Sequence, residues 1–168
     1  MTSIILHLLD SAKYIEGVIK IFKTVPKSRS VIYVTTNKPY SVITSVFKKK
    51  GIKTDKIFFV DCISKHLKES GKEPSNCIFI ESPQNLTAIS IAITKLLAGL
   101  SGPKMLFFDS LSILLIYNDS KTISKFSNFL FNKMRSFDVD SVMIALESDE
   151  GKDVIRQIAS FADEVKKW

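Results

Sequence analysis

Short β-rich apolar runs alternate along the chain with longer stretches whose apolar residues recur three or four positions apart. This alternation predicts parallel βαβ units. Ser3 to Leu9 forms the first predicted strand. Asp10-Ser11 then supplies a helix N-cap, and Ile15, Val18, Ile19 and Phe22 fall on one helical face. Pro26 to Arg29 breaks that helix, and Val31 to Thr35 is a β-branched and aromatic strand. Pro39 fits the first turn of a second helix with Tyr40, Ile43, Val46 and Phe47 on one face, closed by Gly51. Lys56 to Val60 is a third strand, and the polar segment 61–76, around Gly71 and Pro74, is expected to be a loop or short helix.

In the second half, Cys77 to Ile80 is a fourth short strand. Asn85-Leu86-Thr87 opens a largely apolar helix reaching Leu97, and Gly99, Gly102 and Pro103 form a turn. Lys104 to Asp109 is a buried strand ending in a carboxylate. Asn118-Asp119-Ser120 caps a helix whose face is Ile123, Phe126, Phe129, Leu130, Met134 and Phe137, a stripe expected to be core packing. Val142 to Leu146 is a strand, a helix begins at Asp149, and Val165 to Trp168 adds an edge strand. The expected architecture is α/β: one domain over residues 1–168, with a mainly parallel sheet covered by helices on both faces.

Composition narrows the function classes. The apolar stretches are interrupted by polar residues and fall short of the roughly 20 residues a membrane helix needs. Met1-Thr2-Ser3 offers no basic leader, so no signal peptide and a cytoplasmic location are expected. Cys62 and Cys77 lack CxxC spacing and are expected to be reduced, mostly buried thiols. The net charge of +7 is lopsided. Residues 1–84 hold 14 Lys and Arg against 7 Asp and Glu, whereas residues 85–168 hold 10 of each. The excess includes Lys48-Lys49-Lys50, which closes a helical pattern where lysines favour the negative end of the helix dipole. His7 and His66 stand in no metal-ligand pattern, and Ser110 and Ser112 lack a glycine-flanked nucleophile elbow.

Three pieces stand in a telling order: Val31-Ile-Tyr-Val-Thr-Thr36 followed by a helix; Met105-Leu-Phe-Phe-Asp-Ser-Leu-Ser112; and Val142-Met-Ile-Ala-Leu-Glu147, a helix, then Phe161-Ala-Asp-Glu-Val-Lys166. Together they resemble RecA-superfamily ATPase domains of the KaiC-like and RadA-like group. The resemblance implies a three-layer RecA-like fold, with Asp109-Ser110 in the place of the Walker B ending, where the aspartate helps hold Mg²⁺.

The departures point away from catalysis. Such ATPases wrap phosphates with a GxxxxGK[ST] loop after the first strand. Here the corresponding turn is Leu9-Asp10-Ser11-Ala12-Lys13-Tyr14, without a glycine. Asp10 adds a negative charge whose repulsion of phosphates would cost on the order of 1 to 4 kcal/mol. Gly71-Lys72 and Glu147-Ser-Asp-Glu-Gly-Lys152 do not substitute: the first leads into Glu73-Pro74, and the second is acidic and lacks the first glycine and the Ser or Thr. Thr35-Thr36-Asn37 stands where the group carries a water-activating carboxylate, and none of the three acts as a general base at neutral pH. Asp109 is then expected to cap or hydrogen-bond the Ser110 to Ser112 turn.

The leading expectation is an inactivated, non-enzymatic domain without cofactor or metal, regulatory or scaffolding in role, working through a protein partner or self-association. The alternative is a ligand or nucleotide sensor using a crevice at the C-terminal strand ends. Asp10, Ser11, Thr36, Asn37, Glu81, Ser82, Asp109, Ser110 and Glu147 would gather there. A third reading is nucleic-acid binding through the lysine-rich half.

Overall fold

The alternation of apolar runs resolves into seven strands and six helices among the described residues of the computed structural model, 1–67 and 73–168. In chain order these are β1 (Ile4–Leu9), α1 (Tyr14–Lys23), β2 (Ser30–Thr35), α2 (Tyr40–Lys49), β3 (Ile57–Asp61), β4 (Cys77–Phe79), α3 (Leu86–Gly99), β5 (Lys104–Asp109), α4 (Leu111–Tyr117), α5 (Ser120–Ser136), β6 (Asp140–Leu146), α6 (Asp153–Phe161) and β7 (Glu164–Lys167). The strands form one sheet in the order β4-β3-β2-β5-β6-β1-β7, and every neighbouring pair is parallel. A parallel sheet buries both faces, which is why its strands are nearly unbroken Val, Ile, Leu and Phe.

Alternate residues of each strand feed two cores. On one face Leu9, Val31, Tyr33, Phe59, Phe107 and Ile144 meet Val18, Ile21 and Phe22 of α1 and Ile43 and Phe47 of α2. On the other, Leu6, Ile32, Val60, Leu106, Phe108 and Met143 are covered by apolar residues of α3, α4, α5 and α6. Helix starts follow local chemistry: the Asn85 side chain accepts from Ala88 N at 3.0 Å, and Asp119 from Thr122 N at 2.8 Å. Gly51, at φ +70°, ends α2 in the left-handed region that a side chain would strain.

Several expectations change. Leu111–Tyr117 is a helix, against the expectation of a turn at Ser110 to Ser112 and no element over 113–117; its sequence has a single polar residue, Ser112, besides its closing tyrosine, so it carries no helical period to read. The α6 helix begins at Asp153 instead of Asp149, because Glu147–Asp149 forms a separate 3₁₀ turn. Phe129 and Phe137 do not pack in the core. They are 52% and 42% exposed, whereas Phe126, Leu130 and Met134 are buried. Phe129 lies at the rim of the apolar stripe, with Lys133 Nζ 4.9 Å from its ring centroid.

Cys62 is buried and Cys77 half-buried, both free; burial is the main cause raising both thiols, Cys77 to about 12. His7 is buried in β1 and accepts at Nδ1 from the Trp168 indole, while exposed His66 stands edge-on to Tyr117. The Gly71-Lys72 pair lies outside the described residues. Among the described residues no helix is long and apolar enough to cross a membrane.

Candidate functional site

Because all seven strands run the same way, the turns after them emerge along one edge of the sheet. Asp109 ends β5 opposite Thr35 of β2 and projects toward the α1 side, the side of Tyr33 and Phe107. It is 2% exposed. Tyr14, the first residue of α1, donates its hydroxyl to Asp109 Oδ1, and Tyr33 of β2 donates to Oδ2 at 2.6 Å. Both carboxylate oxygens therefore face a phenol. Tyr33 is held rigidly, stacked on Phe107 with centroids 5.1 Å apart and edge-on to Phe47 at 5.6 Å.

Burial is the main influence on Asp109 and raises its pKa; the two tyrosine hydrogen bonds and the Lys38 charge pull it down without cancelling the rise. Tyr14 and Tyr33 are pushed well above the usual phenol range, first by burial and then by Asp109. The cluster thus favours the proton-rich state: neutral phenols around a carboxyl that holds its proton more tightly than one in water.

The following residue belongs to a different network. The Asp109–Ser110 peptide is cis. Ser110 N donates to Thr36 Oγ1 at 3.0 Å, and Ser110 Oγ accepts from Ile113 N at the start of α4. The sequence-based expectation that Asp109 caps the Ser110 to Ser112 turn is therefore corrected. Ser110 is the cap, and the Asp109 side chain is taken up by tyrosines that the sequence reading did not single out. A second strand-end carboxylate, Asp61, serves a purely structural arrangement. It accepts from Tyr40 N at 2.7 Å, Ile63 N at 2.8 Å and Ser64 N at 2.9 Å, and also from Ser64 Oγ.

Beside the tyrosine–aspartate cluster opens a cleft of about 530 Å³, lined by Ser11 to Glu16, Asn37, Lys38, Ser110, Ile113 and Leu146. Of the residues expected to share a crevice, Ser11, Asn37 and Ser110 line it. Asp10 instead caps the 3₁₀ turn Ser11–Lys13 by accepting from Ala12 N, and Thr36 is buried in its hydrogen bonds to residues 109 and 110. Glu147 sits in its own turn after β6. Glu81 and Ser82 follow β4, three strands away from β5, and Glu81 pairs with Lys65. The expected set therefore splits, because adjacency in the sheet, unlike position at a strand end, is not written in local sequence. Lys13 and Lys38 bring positive charge to the cleft that the sequence reading did not assign. Among the described residues no group of His, Cys, Asp and Glu is arranged to hold a metal.

This fold has clear counterparts among solved structures. One is PH0321, an uncharacterized protein from Pyrococcus horikoshii solved in complex with an unknown peptide: TM-score 0.68, 12% identity, 99% of this chain and 76% of that one covered. Another is the KaiC-like protein PH0186 from Pyrococcus horikoshii, at TM-score 0.67 and 11% identity over 98% of this chain and 70% of that one. A third, the ATPase domain of a further protein, matches at TM-score 0.57 and 13% identity, over 98% of this chain and 68% of that one. The fold is therefore RecA-like and KaiC-like, as the order of the three sequence pieces implied. Comparison with curated proteins gives no significant match. The model of a family of unknown function, DUF7504, matches residues 20–165, and the chain belongs to that family.

Proposed function

We propose that this chain is a non-catalytic RecA/KaiC-like domain that acts as a regulatory or scaffolding module by binding a protein partner. The observation that carries this reading is the sealing of Asp109. In the group it resembles, an aspartate at this strand end would help hold Mg²⁺, but here both of its oxygens meet tyrosine hydroxyls in a site closed to solvent. Tyr14 comes from the glycine-free turn that stands in place of the phosphate loop, so one substitution pattern both removes the cradle and fills the space beside it. Thr35 and Thr36 are buried and hydrogen-bonded, and offer no base for activating water. PH0321, which shares this fold, was solved with a peptide bound, and a peptide-binding role fits the same architecture.

Calorimetric titration of the purified chain with ATP and ADP, with and without Mg²⁺, tests the proposal. No heat up to millimolar nucleotide, and no ATP turnover that Asp109→Asn abolishes, is the expected result. Micromolar nucleotide binding lost in Asp109→Asn would overturn it. The cleft beside Asp109, with Lys13, Lys38, Asn37 and Ser11 on its walls, favours a second reading: a sensor of a small ligand held clear of the carboxylate. That reading gains ground if nucleotide or another small anion binds and Lys38→Ala, rather than Asp109→Asn, weakens it.

A further inference from the structure

The charge excess of the N-terminal half has a definite location in the fold. Both α1 and α2 run from the cleft edge of the sheet back to the opposite edge, where β2, β3 and β5 begin, and both end there in lysines. The loops that follow them add more. Residues 20–29 and 48–56 hold nine cationic side chains and a single carboxylate, Asp55. Lys23, Lys27, Lys48, Lys49, Lys50 and Lys56 are all exposed, and the two loops touch, with Lys56 Nζ 3.4 Å from Lys27 O. Of the nine cations only Arg29 is in an ion pair among the described residues, with Asp140 at 2.5 Å; most of the other ion pairs lie on the far half of the chain.

Two lysines at each helix end are accounted for by the negative end of the helix dipole. The remainder raise self-repulsion that only Asp55 and, at Arg29, Asp140 offset, an arrangement that complements a negatively charged partner. We infer that this lysine rim, on the edge of the sheet opposite the cleft, is the docking surface for an acidic polypeptide segment. The inference rests on the reading of the chain as a partner-binding module and names the surface and the chemistry of that partner.

Other polyanions fit less well. Phosphate backbones are commonly gripped by helix N-termini and by planar guanidinium forks. Here the rim presents helix C-termini, and its one guanidinium is engaged by Asp140. Single strands stack on exposed aromatic rings, and these two segments carry a single aromatic residue, Phe22, which is buried. A lipid surface needs an apolar anchor besides charge. The large exposed apolar side chains lie outside these two segments, and Val25 and Ile52 turn inward against the core. Carboxylates along a flexible chain need only point-charge ammonium partners, which the rim supplies in quantity.

Fluorescence anisotropy of the full chain with a labelled poly-glutamate peptide, at about 50 mM and about 200 mM salt, tests the surface. The expected result is saturable binding that weakens about tenfold over that salt range, and about tenfold again in the triple variant Lys48→Glu, Lys49→Glu, Lys50→Glu. Because reversed charge at a helix C-terminus also disfavours the helix, the triple Lys→Gln variant is read alongside, with circular dichroism reporting the fold; it too should weaken binding. The triple variant Lys95→Glu, Lys121→Glu, Lys125→Glu, on helices of the other layer, should change affinity by less than about twofold. Equal losses from both triple variants, absence of binding at low salt, or tighter binding to duplex DNA or phosphatidylserine vesicles than to the peptide would each overturn the inference. Nucleotide titration reports on the cleft edge independently, so failure of the rim and failure of the non-catalytic reading give different results.

Discussion

Replacing Tyr33 by Phe isolates the energetic role of the cluster around Asp109. The substitution removes one hydroxyl and leaves the aromatic packing on Phe107, Phe47 and Phe59 in place. Oδ2 of Asp109 then loses its 2.6 Å donor in a site that is 2% exposed, where water does not replace it. A hydrogen bond to a neutral partner contributes about 1 kcal/mol net, and one to a charged group about 1.5–3 kcal/mol. The cost should therefore depend on the protonation of Asp109. Its folded pKa lies above the ordinary 3.8, so it contributes stability that is fully present below 3.8 and is lost as pH rises through the raised folded value. Tyr33 favours the ionised form, so Tyr33→Phe raises that folded value further and widens the loss. Thermal unfolding at a series of pH values should show a deficit of about 1 kcal/mol where Asp109 keeps its proton, growing toward about 2–3 kcal/mol as the pH passes the raised folded value. At this chain length that corresponds to about 2–4 °C per kcal/mol in Tm. In an Asp109→Asn background the pH dependence of the deficit should vanish. A deficit that is constant with pH, or independent of Asp109, would refute the argument that the phenol acts through the carboxylate.

Two further outcomes follow from local geometry. A Cβ at Gly17 in α1 would come 2.9 Å from Leu9 Cδ2, a buried side chain, whereas one at Gly99 meets nothing within 4 Å; Gly17→Ala should destabilise by about 1 kcal/mol despite the better helix propensity of Ala, and Gly99→Ala should be neutral or stabilising by up to about 1 kcal/mol, both read from denaturant midpoints. The His7 imidazole, lowered to about 4 chiefly by burial and next by Lys166, should titrate near that value by NMR. Its depressed value means stability present above pH 6.5 that is lost as pH falls through the folded value, and Trp168→Ala, which uncovers the ring, should return the midpoint toward 6.5.

The elements that the sequence specified well are those whose local chemistry is unambiguous. Lys104 to Asp109 is bounded by a Gly-Pro turn and a carboxylate, and the strand occupies those six residues. Leu111–Tyr117 was illegible because a nearly all-apolar heptad has no face. Phe129 was misplaced because helical spacing gives an angle but not the width of the buried stripe. The position of Asp109 at a strand end was legible; its partners were not, since Tyr14 and Tyr33 lie 95 and 76 residues away in sequence. One signal was present: Tyr33 is a phenol flanked by apolar residues in the middle of β2, and a buried phenol needs an acceptor. Knowing which acceptor required the pairing of β2 with β5.

The strand order also bears on how the protein is made. The β1 strand is bordered by β6 on one side and β7 on the other, so its register is set by residues 141–146 and 164–167. While the polypeptide is being synthesised, Ile4–Leu9, an almost wholly apolar hexamer, has no strand to lie against until residues 141–146 have followed it. The middle of the sheet, β2 with β3 and β5, is complete well before that. Within this domain β1 is the first strand to be made and its two partners are the last, so its in-register pairing waits for residues that follow more than 130 positions later, and until then its apolar face and open edges have to be kept from other strands.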